Sequence, residues 1–251
     1  MVEIPKRVLL ELPVPTKGTG SGTYVEEVGK AFQELGSEVR ILVAGPVQEV
    51  PGLDIRTVGY EDGKFPVFTT HPLNPQGYNQ KFGDMNSEQV REYVGKWSDG
   101  LGNTIDEFQP ELIHVGHAWV NAGITSHVLD RKGIRDVPLV ATVHGTDIHQ
   151  GFEAAPEAEI TKIARSGIPR LKAATAISSS IQQEAGTILG LPKEKLPVSP
   201  NGFNPGVFQP NPDARRDEVL RELNLPEDLA DKRLVITGGK FAEFKRHDRT
   251  I

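Results

Sequence analysis

Not one cysteine occurs among the 251 residues. Disulfides, thiolate nucleophiles and cysteine-ligated zinc are excluded together. Positive charge is also in deficit: 28 Lys and Arg face 34 Asp and Glu, for a net charge of −6. That balance argues against a general binder of nucleic acid or of anionic membranes, although local basic clusters remain open. No apolar run approaches the ~20 residues of a spanning helix. The amino terminus, Met1-Val-Glu-Ile-Pro-Lys-Arg7, leads directly into a strand, without the regions of a signal peptide. A cytoplasmic location is the default expectation. Repeats and low-complexity tracts are missing as well. The hydrophobic content, 37%, is that of a soluble globular chain able to bury a sizeable core.

What is present alternates with regularity. Strand-like runs fall at Val8 to Leu10, Val39 to Ala44, Ile55 to Val58, Leu112 to Val115, Leu139 to Val143 and Ala174 to Ile177, with a last short one at Val198. Between them lie helical patterns. Val25, Val28, Phe32 and Leu35 form one stripe after a loop from Pro13 to Gly22. The longest helix runs from a cap-like Asn86 to Phe108, and others cover Asn121 to Arg131, Pro156 toward Arg170, and Ile181 to Leu189. Strands alternating with helices predict an α/β, Rossmann-like, mostly parallel sheet covered by helices on both faces. A long Gly/Pro/Asn-rich stretch, Gly59 to Asp84, carries Phe65, Phe68, His71, Tyr78 and Phe82; these aromatics could form a ligand surface or a small satellite core. Residues 203–213, with Pro205, Pro210 and Pro212, read as a linker. A helix with Val219, Leu220 and Leu223 follows.

The chemistry concentrates at the carboxyl ends of these strands, where open α/β sheets bind ligands. Thr16-Lys-Gly18-Thr-Gly20-Ser-Gly22 stands where a dinucleotide fingerprint would sit, but its glycines run G-x-G-x-G. Ala44-Gly45 also replaces the acidic residue that holds a ribose. Nicotinamide chemistry is therefore disfavoured, and a loop lying against another ligand or a simple tight turn remains. His144-Gly-Thr-Asp147 ends the Leu139 to Val143 strand, and Gly145 removes the Cβ that would crowd a ligand near His144. His114 and His117 end the neighbouring strand, and one of them is expected to join the same cleft. Metal binding is not expected, since carboxylates at ligand spacing are sparse. Near the carboxyl terminus Leu234 to Thr237 read as a strand, Gly238 and Gly239 as a turn, and Lys240, Lys245 and Arg246 as a basic helix mouth suited to phosphate.

Val8-Leu-Leu10 with its Gly-rich loop, Glu111-Leu-Ile-His-Val115, Thr142-Val-His-Gly-Thr-Asp147, Ala176-Ile-Ser-Ser-Ser180, Pro200-Asn-Gly-Phe-Asn204 and Gly238-Gly-Lys-Phe-Ala-Glu-Phe-Lys245 resemble, in this order, the landmarks of glycosyltransferase family 4. The resemblance implies a GT-B fold, two Rossmann-like domains facing across a cleft, and retaining transfer of a sugar from a nucleotide-diphosphate donor to a hydroxyl acceptor. It implies that His144 is catalytic, supporting the donor sugar and an oxocarbenium-like transition state. Gly20, Ser21 and Gly22, with Lys240 and Lys245, would meet the donor phosphates. His117, Trp119, Thr146 and Asp147 would face the acceptor, which is a small molecule, a sugar or a lipid-linked species. No cofactor is implied beyond the sugar nucleotide, and lysines rather than a metal would neutralise the diphosphate. Lys240 stands where the family more often has arginine, and Arg246 where glycine is usual.

The family's paired glutamates would lie beyond Ile251. The expected organisation is therefore an acceptor-side domain over 1–202, a linker and helix over 203–232, and the first strand and turn of a truncated donor-binding domain over 233–251. Alone, such a chain is expected to transfer little sugar, and its unpaired apolar strand near residue 234 is expected to favour a homodimer. The alternatives are a non-catalytic ligand-binding or assembly half, and another GT-B enzyme such as an epimerase or phosphorylase.

Overall fold

The computed structural model describes residues 3–45, 49–59, 66–68, 80–229 and 231–235. The polypeptide divides into two compact units, Met1–Asn201 and Gly202–Ile251. In the first, β1 (Arg7–Leu12), β2 (Glu38–Ala44), β3 (Asp54–Val58), β4 (Leu112–Val115), β5 (Leu139–Val143) and β6 (Leu171–Ala176) form one sheet in the order β3-β2-β1-β4-β5-β6. Every pairing is parallel. Strands β1 and β2 are buried nearly end to end rather than at alternate residues, because helices cover both faces. The strand order reverses between β1 and β4, and loops leaving the carboxyl edge there part to opposite sides.

Helix α1 spans Gly20–Glu34, and α2, Ser87–Phe108, starts at the expected Asn86 cap. The Asn86 side chain accepts from Glu88 and Gln89 N–H groups, and Gln89 returns a bond to the Asn86 backbone. Helices α3 (Val120–Arg131), α4 (Glu159–Gly167) and α5 (Ser179–Leu189) complete this unit. Several expected boundaries shift, among them the start of α4, at Glu159 rather than Pro156, and that of β6, at Leu171 rather than Ala174. Helix α1 begins at Gly20 rather than after Gly22, because the Thr19 side chain already caps the N–H of Gly22 at 2.9 Å. Helix α4 stops at Gly167 and tightens into a 3₁₀ turn, Ile168–Arg170, where Pro169 lacks the N–H an α-helix needs. Val198 makes only an isolated bridge to Ala176. The second unit contains α6, Arg216–Glu222, with Leu220 buried. Leu234 and Val235, the described part of the expected last strand, adopt no strand, and residues 236–251 lie outside the described residues.

The aromatic stretch is settled where it is described. Phe68 and Phe82 are buried and stack with Tyr93, Trp97, Trp119 and Phe152 in the main core; Phe65, His71 and Tyr78 lie outside the described residues. Helix α3 is buried on nearly every side, and it crosses α4 so closely that a Cβ on Gly123 would stand 1.9 Å from the carbonyl oxygen of Ile163. Gly123→Ala is expected to destabilise the fold by about 3 kcal/mol, measured by urea unfolding, because backbone rather than a flexible side chain would have to move.

The core also contains a carboxyl group. Glu11, on β1, has no exposed surface. Thr125 Oγ1 lies 3.0 and 3.1 Å from its two oxygens, and Asn121 Nδ2 lies at 3.4 Å. These partners are neutral, and burial pushes the Glu11 carboxyl up to about 8. The folded state therefore holds a proton that the unfolded chain releases near pH 4.5. The Glu11 contribution to stability should be greatest below about pH 4.5, decline as the pH rises to about 8, and level off beyond. Thermal melts of Glu11→Gln should lack that decline; an unchanged slope would assign it to another group.

Candidate active site

The carboxyl ends of β4 and β5 each release a short loop bearing a histidine, and one carboxylate ties the two loops together. Asp147 is fully buried. Its Oδ2 accepts from the N–H of Ala118 and its Oδ1 from the N–H of His144, both at 3.1 Å. His117 Nδ1 stands 3.8 Å away, too far for a hydrogen bond but within ion-pair range. Burial raises the Asp147 carboxyl, but His117, His144 and backbone N–H groups outweigh that and hold it below the usual carboxylate range. The next residues continue as a π-helical segment, Asp147–Phe152, that carries the chain across the sheet edge. Gly145, at φ +90°, makes the turn that brings Asp147 back beneath the backbone of His144.

The histidines form a cluster. The rings of His117 and His144 lie 5.0 Å apart, and His144 meets the ring of Tyr24, from α1, at 4.9 Å and 80°. Below them Thr142 Oγ1 shares hydrogen bonds with His114 Nε2 at 2.9 Å, Tyr24 Oη at 3.1 Å and Thr175 Oγ1 at 3.1 Å. His114 and Thr142 share a sheet face because His114 pairs with Val140, two residues before Thr142. Burial pushes His114 down to about 4; burial and the neighbouring His117 push His144 down to about 3. His114 and His144 are therefore neutral at physiological pH. Among the described residues His144 Nε2 is buried and has no protein partner.

Sequence reasoning placed these residues unevenly. His144, His117, Thr146 and Asp147 do come together, with Thr146 half-buried at the start of the π segment. Asp147 does not face an acceptor, because it has no exposed surface and both its oxygens accept from backbone N–H groups. Trp119 requires a similar correction. Its ring is 1% exposed, Phe152 packs on it edge-on at 4.7 Å, and a Cβ on Gly151 would lie 2.8 Å from it, so it belongs to the core. Gly20, Ser21 and Gly22 form the first turn of α1, where Gly22 is obligatory because a Cβ would strike the Thr16 carbonyl at 1.7 Å. Lys240 and Lys245 lie outside the described residues. Tyr24, Thr142 and Thr175 were missed. For the two threonines the available signal was a hydroxyl residue near the carboxyl end of each of two adjacent strands.

A model of glycosyltransferase family 4 matches residues 18–207. The chain belongs to that family. The match takes in the α1 turn, both histidine loops and all but the first strand of the sheet. Comparison with curated protein sequences finds no match. Among solved structures, sucrose-phosphate synthase from Thermosynechococcus elongatus is 16% identical with a TM-score of 0.55, over 88% of this chain and 53% of that one. The apo form of the lipopolysaccharide outer core galactosyltransferase WaaB is 10% identical with a TM-score of 0.52, over 78% and 46% respectively. A UDP-N-acetylglucosamine 2-epimerase from Rickettsia bellii is 12% identical with a TM-score of 0.50, over 88% and 52%. Likeness at such identities shows a shared GT-B-type fold, and this chain spans about half the length of each matched structure. None of the described helices is long and apolar enough to cross a membrane.

Asp147→Ala would strand two buried N–H donors in this family 4 site, at a cost of about 2–5 kcal/mol in urea unfolding. The folded carboxyl titrates below its ordinary 3.8. Its contribution is therefore complete above that value and lost as the pH falls through the lower folded value, so wild type and variant should converge in acid.

Proposed function

We propose that this protein is a retaining glycosyltransferase that moves a sugar from a nucleoside-diphosphate donor to a hydroxyl acceptor, with His144 at the reacting sugar. The observation that carries the reading is a neutral imidazole, without a protein partner on Nε2, at the carboxyl end of β5 in a family 4 chain. A neutral ring can hydrogen-bond a donor hydroxyl without setting a full positive charge beside an oxocarbenium-like carbon. An imidazolium there would oppose the charge that develops.

In this reading the bond from the anomeric carbon to the diphosphate breaks and the acceptor oxygen bonds to the same face of that carbon. The hydroxyl proton leaves with the diphosphate. The amino end of α1 supplies the N–H groups of Gly20 and Ser21 and the helix dipole to phosphate, that of Gly22 being held by Thr19, and the family resemblance gives Lys240 and Lys245 the role of charge without a metal. Thr146 remains the candidate nearest the acceptor, since His117 is 2% exposed and as buried as Trp119; the acceptor's class is a sugar, a small molecule or a lipid-linked hydroxyl. Catalysis rests on positioning and charge rather than on a covalent step by the protein.

The test is an assay of the complete polypeptide with a panel of sugar nucleotides, with product anomers read by NMR. Retained configuration and turnover in the presence of a chelator are expected. His144→Ala should lower turnover roughly 10²- to 10³-fold, as loss of one preorganised transition-state donor does, with little change in melting temperature. Conversion of the donor sugar without an acceptor would instead support an epimerase. Normal turnover with a collapsed melting temperature would make His144 structural.

A further inference from the structure

We propose that Tyr24 is the positioning residue of His144: anchored by its hydroxyl to Thr142, its ring forms the wall that sets where the imidazole stands and keeps water from it. The inference rests on the reading that His144 acts at the sugar. Tyr24 lies on α1 just after the glycine turn, and its ring stands edge-on to His144 at 4.9 Å and 80° and to His114 at 6.4 Å and 84°. Such perpendicular arrangements are favoured because the positive edge of one ring meets the negative face of the other.

The anchor is unusually well determined. A threonine hydroxyl has one proton to donate and two lone pairs, and Thr142 Oγ1 has three polar neighbours at 2.9 to 3.1 Å: His114 Nε2, Tyr24 Oη and Thr175 Oγ1. Its capacity is filled. Turning Tyr24 away would leave the hub one partner short, so the ring is held by a bond as well as by packing. The hub also ties α1 to β4, β5 and β6, and thereby links the turn proposed for phosphate to the histidine proposed for the sugar.

His144 has few other supports. Besides Tyr24 from α1, the titratable groups that face it are His117 from the loop after β4, at 5.0 Å between rings, His114 from β4, and Asp147 from its own loop, whose carboxylate holds the His144 backbone rather than its ring. The Gly116 backbone also hydrogen-bonds the imidazole, and Tyr24 supplies the anchored ring wall on the side of α1.

The experiment is an NMR titration of the His144 imidazole in this 251-residue chain. In wild type, nuclear Overhauser contacts should join Tyr24 ring protons to His144, and the imidazole should stay neutral down to about pH 4, given its value near 3. Tyr24→Phe keeps the ring but removes its anchor to Thr142, and should weaken these contacts and raise the titration by less than Tyr24→Leu does. Tyr24→Leu opens the wall to water and should raise the His144 titration by about one pH unit or more. An unchanged titration in folded Tyr24→Leu overturns the proposal, and so does absence of the wild-type contacts, which decides the matter if that variant does not fold. In the transfer assay Tyr24→Leu should lower kcat about tenfold or more at nearly constant KM, with Tyr24→Phe between that variant and wild type. If His144→Ala left turnover intact, the catalytic reading would fall, while the imidazole titration would still decide the role of Tyr24.

Discussion

A carboxylate without exposed surface must find its hydrogen bonds inside the protein or lose its charge. Asp147 finds them on the backbones of two neighbouring loops, at Ala118 and at His144. Much else at the sheet edge depends on that pairing. It draws the ends of β4 and β5 together, it starts the π segment, and it holds the His144 backbone without engaging the ring. The backbone of His144 is fixed from below, and its ring is available for chemistry.

The cluster above Asp147 is organised by the absence of solvent. His114 and His144 are buried where charging an imidazole is costly, so their rings remain neutral donors and acceptors. The three-partner hub on Thr142 makes sense in the same surroundings, because a buried hydroxyl left short of partners is expensive. A neutral, hydrogen-bonding surface suits a polyhydroxylated ligand whose reacting carbon gains positive charge. Glu11, buried on β1 with Thr125 and Asn121 for company, follows a similar rule by retaining its proton.

Close backbone approach sets the frame. Gly22 lets the first turn of α1 sit on the Thr16 carbonyl, and Gly123 and Gly167 let α3 and α4 cross backbone to backbone. These contacts place Tyr24 above β5 and seat the buried helix α3 over Glu11.

Much was legible from residue order alone. Apolar runs separated by 3.6-periodic stripes specify parallel strands and covering helices, since a strand buried on both faces has no polar alternation to offer. The Asn86–Gln89 cap, the histidine at the end of β5 and the family motifs are likewise local. Their meaning travels with a few adjacent residues. The partnerships are not local. Tyr24 and Thr142 lie 118 residues apart, and no periodicity announces that one hydroxyl will meet the other. Trp119 and Asp147 looked like ligand contacts because aromatic and acidic residues beside a strand end often are. Whether they face solvent or core depends on which helices close over them, and that is a property of the packed chain. Residue order determined which main elements form and in what sequence. Tertiary packing decided which of those ends remain open to a ligand, because burial and hydrogen-bond satisfaction are settled only when distant segments meet.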